Sequence, residues 1–325
     1  MRELSNVAVA MCAVALSLEA STVAGHCRET ELEVLEELVS GQDIPESVAL
    51  DDVGNAYISV GDSVLQRTPQ GSTSVFATLP LPIFALGVKV GPDGCVYNAS
   101  TSLSEVEGAF VWRTCAPGEV KVFAELDPEG GPNDLAFDSD GDLFVTDPVL
   151  GRVWKVDADG VPEVFAEHDL LAGTPQDPAL IFQPMGVNGI AFDERGRFLY
   201  LSNTDQGSIL RIKVRSRSHR PRLFVQDAAL RGADGIAFDN GGNLVVAVNA
   251  RDALVSVNRW GYLRELAQGG LLDAPSSIAF EAGQGACGSF FLTSSAFSRT
   301  LGLQPGTARP ALLEGRIGPA RHWWR

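Results

Sequence analysis

Four residues of this chain carry side chains suited to a hard-cation site: Glu46, Asn133, Asn188 and Asp234. Each stands in a motif of one shape: a polar residue, a mostly small one, then an aliphatic one. The motifs are P-E-S-V-A-L-D from Pro45, P-N-D-L-A-F-D from Pro132, V-N-G-I-A-F-D from Val187 and A-D-G-I-A-F-D from Ala233. Packing explains the aliphatic position but not the polar one. Two carboxylates that face each other repel, and their pKa values rise unless a cation lies between them. Carboxylate and amide oxygens are hard donors that suit Ca2+, which takes six to eight oxygens in a flexible geometry. Mg2+, Mn2+ or Zn2+ are the alternatives. Zinc is the least suited, because it prefers His and Cys and the motifs hold neither. Without a cation, the same residues would line a water-filled polar channel.

For these four to meet, the fold must place them at one height around one axis. The motifs belong to six copies of a longer pattern: an alternating strand, a D-x-x-G-type turn and a second strand. The other two copies begin at Ala85 and Pro275 and put Leu86 and Ser276 in the polar column. The copies recur every ~40–55 residues, the length of a four-stranded propeller blade. Period-two alternation with Gly, Asp and Asn at the turns marks antiparallel sheets. Gly54, Gly94, Gly141, Gly196 and Gly242 are expected to supply the positive φ that closes each first hairpin, so the turn aspartates are structural. The fold class is therefore all-β, a six-bladed β-propeller with four-stranded antiparallel blades. First strands line the channel of a propeller, so the polar column should face a shared axis at one mouth. The ring is expected to close through the N-terminal run Leu32–Val39, which looks like a fourth strand and precedes the first copy; it should pair on the last blade. A-R-P-A-L-L-E-G from Ala308 competes for the same edge.

These motifs together resemble the senescence marker protein/gluconolactonase/luciferin-regenerating enzyme family, the regucalcin-like propeller lactonases, over roughly residues 39–313. A staphylococcal-type lactonase and, more distantly, the paraoxonases are similar too. One such motif is a weak signal; four in order at blade spacing are a strong one. The resemblance implies a metal-dependent hydrolase that opens a lactone or related ester, with a small molecule as its partner. It implies a metal held by Glu46, Asn188 and Asp234, with Asn133 beside the metal and touching substrate or its water. On that footing the catalytic candidates are Asp234, as the base that activates water, and Asn133. Glu46 is a plain ligand, and Asp134 is a weaker base whose column points away from the axis. Two positions depart from the family pattern: Gly131, where sugar-lactonase members often carry Arg, and Asn203, where the family often has Asp. They point to a less polar lactone or ester than gluconolactone.

The rest of the chain bounds this reading. Its 325 residues are 45% hydrophobic and carry a net charge of −16, which disfavours a nucleic-acid partner. Residues 1–24 have a signal-peptide pattern: Arg2, an apolar run from Val7 to Leu18, then Ala20, Ser21 and Ala24. This implies a secreted or periplasmic protein. Ala24-Gly25-His26-Cys27 misses a lipoprotein box at His26, and no other stretch approaches the ~18 apolar residues of a membrane span. Residues 25–315 read as one propeller domain and a monomer, and 316–325 as a basic, aromatic tail with no assigned role. Without Cys12 the cysteines are Cys27, Cys95, Cys115 and Cys287, an even set that suits an exported protein. Cys95–Cys115, on neighbouring strands, and Cys27–Cys287, at the closure, are the favoured pairs. Asn98-Ala99-Ser100 is a glycosylation sequon. The chain has no G-x-S-x-G elbow, P-loop or dinucleotide fingerprint, and its four histidines lack ligand spacing. His168 falls in a Leu-, Phe- and Pro-rich segment, Glu167 to Pro184, which is either a wall over the mouth or a surface loop. Two other functions fit a propeller of this kind: a metal-containing binding module without catalysis, and a strictosidine-synthase-like condensation.

Overall fold

The computed structural model describes residues 30–80, 83–102, 108–175, 184–281 and 288–317. The apolar N-terminal run, Cys27, Cys287 and the tail beyond Ile317 lie outside these residues. Six sheets of four antiparallel strands follow one another along the chain, so the propeller read from the repeats is the architecture. The first strands of blades 1 to 6 are Pro45–Leu50, Ile83–Val90, Leu135–Phe137, Val187–Phe192, Ala233–Phe238 and Pro275–Phe280. Each packs against the next, and the last packs against the first, which closes the circle around the channel.

The aliphatic column behaves as the repeat predicts. Val48, Val88, Leu135, Ile190, Ile236 and Ile278 are each at most 3% exposed. They face Ile58, Asn98, Val145, Leu201, Val246 and Leu292 on the second strands. Asn98 is the exception in that apolar ring. It is buried, and its Nδ2 donates to Gly87 O at 2.8 Å, so the sequon is closed to a glycan.

The apolar clusters lie between successive blades, because a flat sheet buries both faces only by stacking on its neighbours. Aromatic rings repeat this contact. Tyr97, Phe144 and Tyr200 on second strands meet Phe123, Phe165 and Phe224 on the fourth strands of their own blades. They also meet Phe137, Phe192 and Phe238 on the first strands of the following blades. All six pairs are edge-to-face, with centroids 4.9 to 5.4 Å apart. Such a pair adds about 0.5–1.5 kcal/mol beyond the area it buries.

In blade 6 the strand order is Pro275–Phe280, Gly288–Ser294, Ala311–Ile317 and Glu31–Glu37. The N-terminal strand is the outer edge, as expected. The competing A-L-L-E-G run is the third strand, paired on both sides, and its last residues are Arg316 and Ile317. The five turn glycines have φ between 61° and 88°. The Cys95–Cys115 disulfide is formed beside the paired residues Val96 and Thr114. The expected Cys27–Cys287 bond lies outside the described residues. No helix among the described residues is long and apolar enough to cross a membrane.

Candidate metal centre at the channel mouth

The residues of the polar column are set by a local irregularity. In blades 1, 2, 4 and 5 the first strand pairs at its start, slips, and resumes at the aliphatic column; in blade 2 the slip holds Leu86-Gly87. In the other three it leaves Glu46-Ser47, Asn188-Gly189 and Asp234-Gly235 out of the ladder. A bulge re-aims side chains away from strict alternation, which lets these three project into the mouth. In blade 3 the strand starts only at Leu135. Asn133 precedes it, with its N–H donating to Thr146 O at 2.8 Å. The small residues that follow are required by close approach of the blades. A Cβ on Gly189 would lie 2.4 Å from Asp234 O, and one on Gly235 would lie 2.5 Å from Ser276 O.

Three carboxylates share this space. Burial, then Asp234 and Asp134, push the Glu46 carboxyl well above its ordinary range. Burial, then the Asp134 charge, push Asp234 up to about 8, against hydrogen bonds from Asn249, Asn188 and Gly235 N–H. Asp134 is raised by burial, against Lys89 and two backbone N–H groups. Those two groups occupy its carboxylate: Leu135 N–H donates to Oδ1 at 2.8 Å and Ile190 N–H to Oδ2 at 3.1 Å. Asp134 is therefore tied to the next blade.

The amides complete the arrangement. Asn188 Nδ2 donates to Thr204 Oγ1 at 3.1 Å, and that hydroxyl donates to Ala233 O at 2.8 Å. This fixes which end of the Asn188 amide is oxygen, and Oδ1 is left buried with no partner. Asn249 Nδ2 lies 3.4 Å from Asp234 Oδ2, and its Oδ1 is likewise buried and unpaired. Asn133 is buried at the same mouth, but no hydrogen bond joins its side chain to Glu46, Asn188 or Asp234 among the described residues. The structure thus links Glu46 to Asp234 through their charges and Asn188 and Asn249 to Asp234 through hydrogen bonds, with Asn133 buried at the corresponding position of blade 3.

Two buried amide oxygens without donors lie beside carboxylates that hold their protons tightly. That donor set fits a hard divalent cation such as Ca2+ and offers zinc none of its preferred ligands. Asp93, Cys95 and Cys115 are the one trio of His, Cys, Asp or Glu groups within 4.8 Å of one another among the described residues. Glu46, Asp134 and Asp234 do not all meet that spacing. Asp134 already accepts two backbone N–H groups. The described histidines are elsewhere: His168 and His219 line an outer cleft of about 420 Å³.

The family model described as SMP-30/Gluconolactonase/LRE-like region matches residues 61–296. The chain belongs to this family. The match begins after Glu46 and so leaves the first acidic member of the cluster outside it. Among solved structures, the gluconolactonase of Xanthomonas campestris is 19% identical, with a TM-score of 0.64 over 91% of this chain and 92% of that one. A luciferin-regenerating enzyme is 16% identical, with a TM-score of 0.63 over 90% and 98%. Virginiamycin B lyase from Staphylococcus aureus is 16% identical, with a TM-score of 0.59 over 82% of each chain. At these identities the likeness is one of fold. No curated protein matches the sequence.

The two departures from the family pattern have local explanations. A Cβ at Gly131 would lie 2.8 Å from Val149 Cγ2, so a hydrophobic side chain fills the space beside this position. Asn203 is fully buried and donates to Leu170 O at 3.1 Å and Ala172 O at 2.9 Å. An Asp there could not donate. Asn203 anchors the start of the 167–184 segment to blade 4; residues 176–183 of that segment lie outside the described residues. Asn249 is the member that sequence reasoning missed. Second strands aligned on Leu201 and Val246 place Thr204 and Asn249 in one column, and each supports the polar residue of its own blade.

Proposed function

We propose that this protein is a divalent-cation-dependent hydrolase, with Ca2+ the best-suited ion, that opens a lactone or related ester at the channel mouth. The observation that carries the reading is the pair of buried, unpaired oxygens, Asn188 Oδ1 and Asn249 Oδ1, beside the Glu46 and Asp234 carboxylates. Glu46, Asn188 and Asp234 would hold the ion, with Asn249 at hand. A bound cation would polarise the ester carbonyl and offset the charge that develops on its oxygen.

The chain's own residues do the remaining work. Asp234 is the general base and takes the proton of the attacking water at its carboxylate; Asn188 and Asn249 orient that carboxylate. Asn133 meets the substrate or its water. Val149, Leu271, Leu301 and Leu303 are 37–52% exposed on loops at this end of the propeller. They give the approach an apolar character that favours a lactone or ester with a hydrocarbon substituent over a sugar lactone. Export through the signal-peptide pattern of residues 1–24 belongs to the same reading, and N-terminal sequencing of the protein from an expressing culture tests it.

The function is tested with a panel of aliphatic lactones, sugar lactones and aryl esters, with and without a chelator. Turnover that a chelator abolishes and Ca2+ restores is expected, with aliphatic lactones ahead of sugar lactones. Turnover that survives complete metal removal overturns the cation dependence. A tightly bound ion with no turnover of any substrate would leave the metal-containing binding module.

A further inference from the structure

A second column of side chains, one step further along each second strand, has a regularity that packing does not require. It consists of Ser59, Ala99, Thr146, Ser202, Ala247 and Thr293 in blades 1 to 6. The four hydroxyl members, Ser59, Thr146, Ser202 and Thr293, are all 0% exposed. Each accepts a backbone N–H from its own blade: Ser47 onto Ser59, Asp134 onto Thr146, Gly189 onto Ser202 and Ser277 onto Thr293.

Three of them also donate across the joint to the next blade, and the acceptors are not scattered. Thr146 Oγ1 donates to Asn188 O at 2.5 Å, Ser202 Oγ to Asp234 O at 2.7 Å, and Thr293 Oγ1 to Glu46 O at 3.1 Å. The backbone carbonyls of the three grouped cation-site residues are thus each held by a hydroxyl from the preceding blade. Elsewhere the device is missing. Ala99 precedes Asn133, whose carbonyl accepts Gly87 N–H instead, and Ala247 precedes Ser276. Ser59 precedes Leu86 and makes no such bond among the described residues. The hydroxyl clamp therefore singles out Glu46, Asn188 and Asp234 and leaves out Leu86, Asn133 and Ser276.

We propose that Thr146, Ser202 and Thr293 are positioning residues that set the cation affinity of the mouth by fixing the backbones of Asn188, Asp234 and Glu46. The ligand residues sit in bulges, where the ladder gives them no cross-strand register. A hydroxyl buried at the joint supplies the missing constraint from outside the blade. It also couples each ligand to the blade before it, so the ring must be assembled for the site to have its shape. This inference rests on the reading that these three residues hold a divalent cation.

The test measures Ca2+ affinity by calorimetry, and Tb3+ luminescence as a second probe, on the full protein stripped of metal. The variants are Thr146→Val, Ser202→Ala, Thr293→Val, the conservative Thr146→Ser, and Ser59→Ala as the control that loses only an own-blade acceptor. The three clamp variants should bind Ca2+ about 10- to 100-fold more weakly, the usual effect of removing a residue that orients a ligand. Ser59→Ala and Thr146→Ser should stay within about twofold of the parent protein. Thermal unfolding of the metal-free forms separates positioning from stability: Ser59→Ala should lower the melting temperature with the others yet keep its affinity. If the parent protein binds Ca2+ and the clamp variants lose no more affinity than Ser59→Ala, this inference is wrong while the cation reading stands. If the parent protein binds no divalent cation, the cation reading falls, and this inference with it. If all three clamp variants fail to fold while Ser59→Ala folds, the hydroxyls are structural and the inference is again refuted.

Discussion

Replacing Asp234 by Asn should make the metal-free protein more stable near pH 8 while abolishing its turnover. The Asp234 carboxyl moves from 3.8 to about 8 on folding, mainly through burial and the Asp134 charge. At about 1.4 kcal/mol per tenfold change in proton affinity, that is a ceiling of about 6 kcal/mol held against the ionised form. Between about pH 4 and about pH 8 the folded state keeps a proton that the unfolded state releases, so stability falls as pH rises through that window. Glu46 shares the strain, and water in the mouth relieves part of it, so a gain of about 2–3 kcal/mol is expected for Asp234→Asn near pH 8. In a chain of this size that is on the order of 5 °C in melting temperature. The assay is thermal unfolding with excess chelator at about pH 5 and about pH 8, repeated with excess Ca2+. Metal-free parent protein should melt lower at the higher pH, Asp234→Asn should lose most of that drop, and Ca2+ should rescue the parent far more than the variant. A parent melting temperature that holds or rises with pH when the metal is gone would refute the electrostatic reasoning. So would a variant whose drop equals the parent's.

Other consequences can be checked separately. Phe144→Ala removes a fully buried ring that meets both Phe165 and Phe192; denaturant unfolding should show a loss of about 3–5 kcal/mol. Gly189→Ala forces a Cβ to 2.4 Å from Asp234 O, so blades 4 and 5 must part; both melting temperature and Ca2+ affinity should fall, whereas Gly196→Ala, with open space around it, should affect only stability. Reducing the Cys95–Cys115 bond, which spans 20 residues of sequence, should cost about 3 kcal/mol of stability. It should leave turnover unchanged, because the bond follows the blade 2 hairpin turn at the end away from the mouth. Removing residues 1–37 deletes the outer strand of blade 6 and should broaden the unfolding transition, read by calorimetry.

The architecture was legible because blades repeat. Alternation, turn glycines and the buried aliphatic column recur in register, and each independently specifies a four-stranded sheet that must stack on a neighbour. The edge of blade 6 was ambiguous for a physical reason. Glu31–Glu37 and Ala311–Ile317 have similar alternation, and only their partners tell a third strand, paired on both sides, from a fourth. Asn98 misled in the opposite sense: its triplet is a sequon, but its strand position turns it into the packed ring.

Glu46, Asn188 and Asp234 could be found in the sequence because they break a column that packing fills elsewhere. Asn133 shares that column, although the regular strand of blade 3 starts at Leu135, three residues later in the motif than in blades 1, 4 and 5; Asp134 N–H still meets the Thr146 hydroxyl as Gly189 N–H meets Ser202. Asn249 lies outside the first-strand motifs: it is 15 residues from Asp234 and meets it across the top of a hairpin, so only a column drawn along the second strands, with Thr204 in blade 4, points to it. The hydroxyl column shows why the site is nevertheless a property of the whole ring. Each ligand carbonyl is held from the preceding blade, and the last of these bonds, Thr293 to Glu46 O, crosses the joint between the final blade and the first. Closing the ring therefore also fixes the backbone carbonyl of Glu46, and a chain whose last blade parts from the first loses that bond.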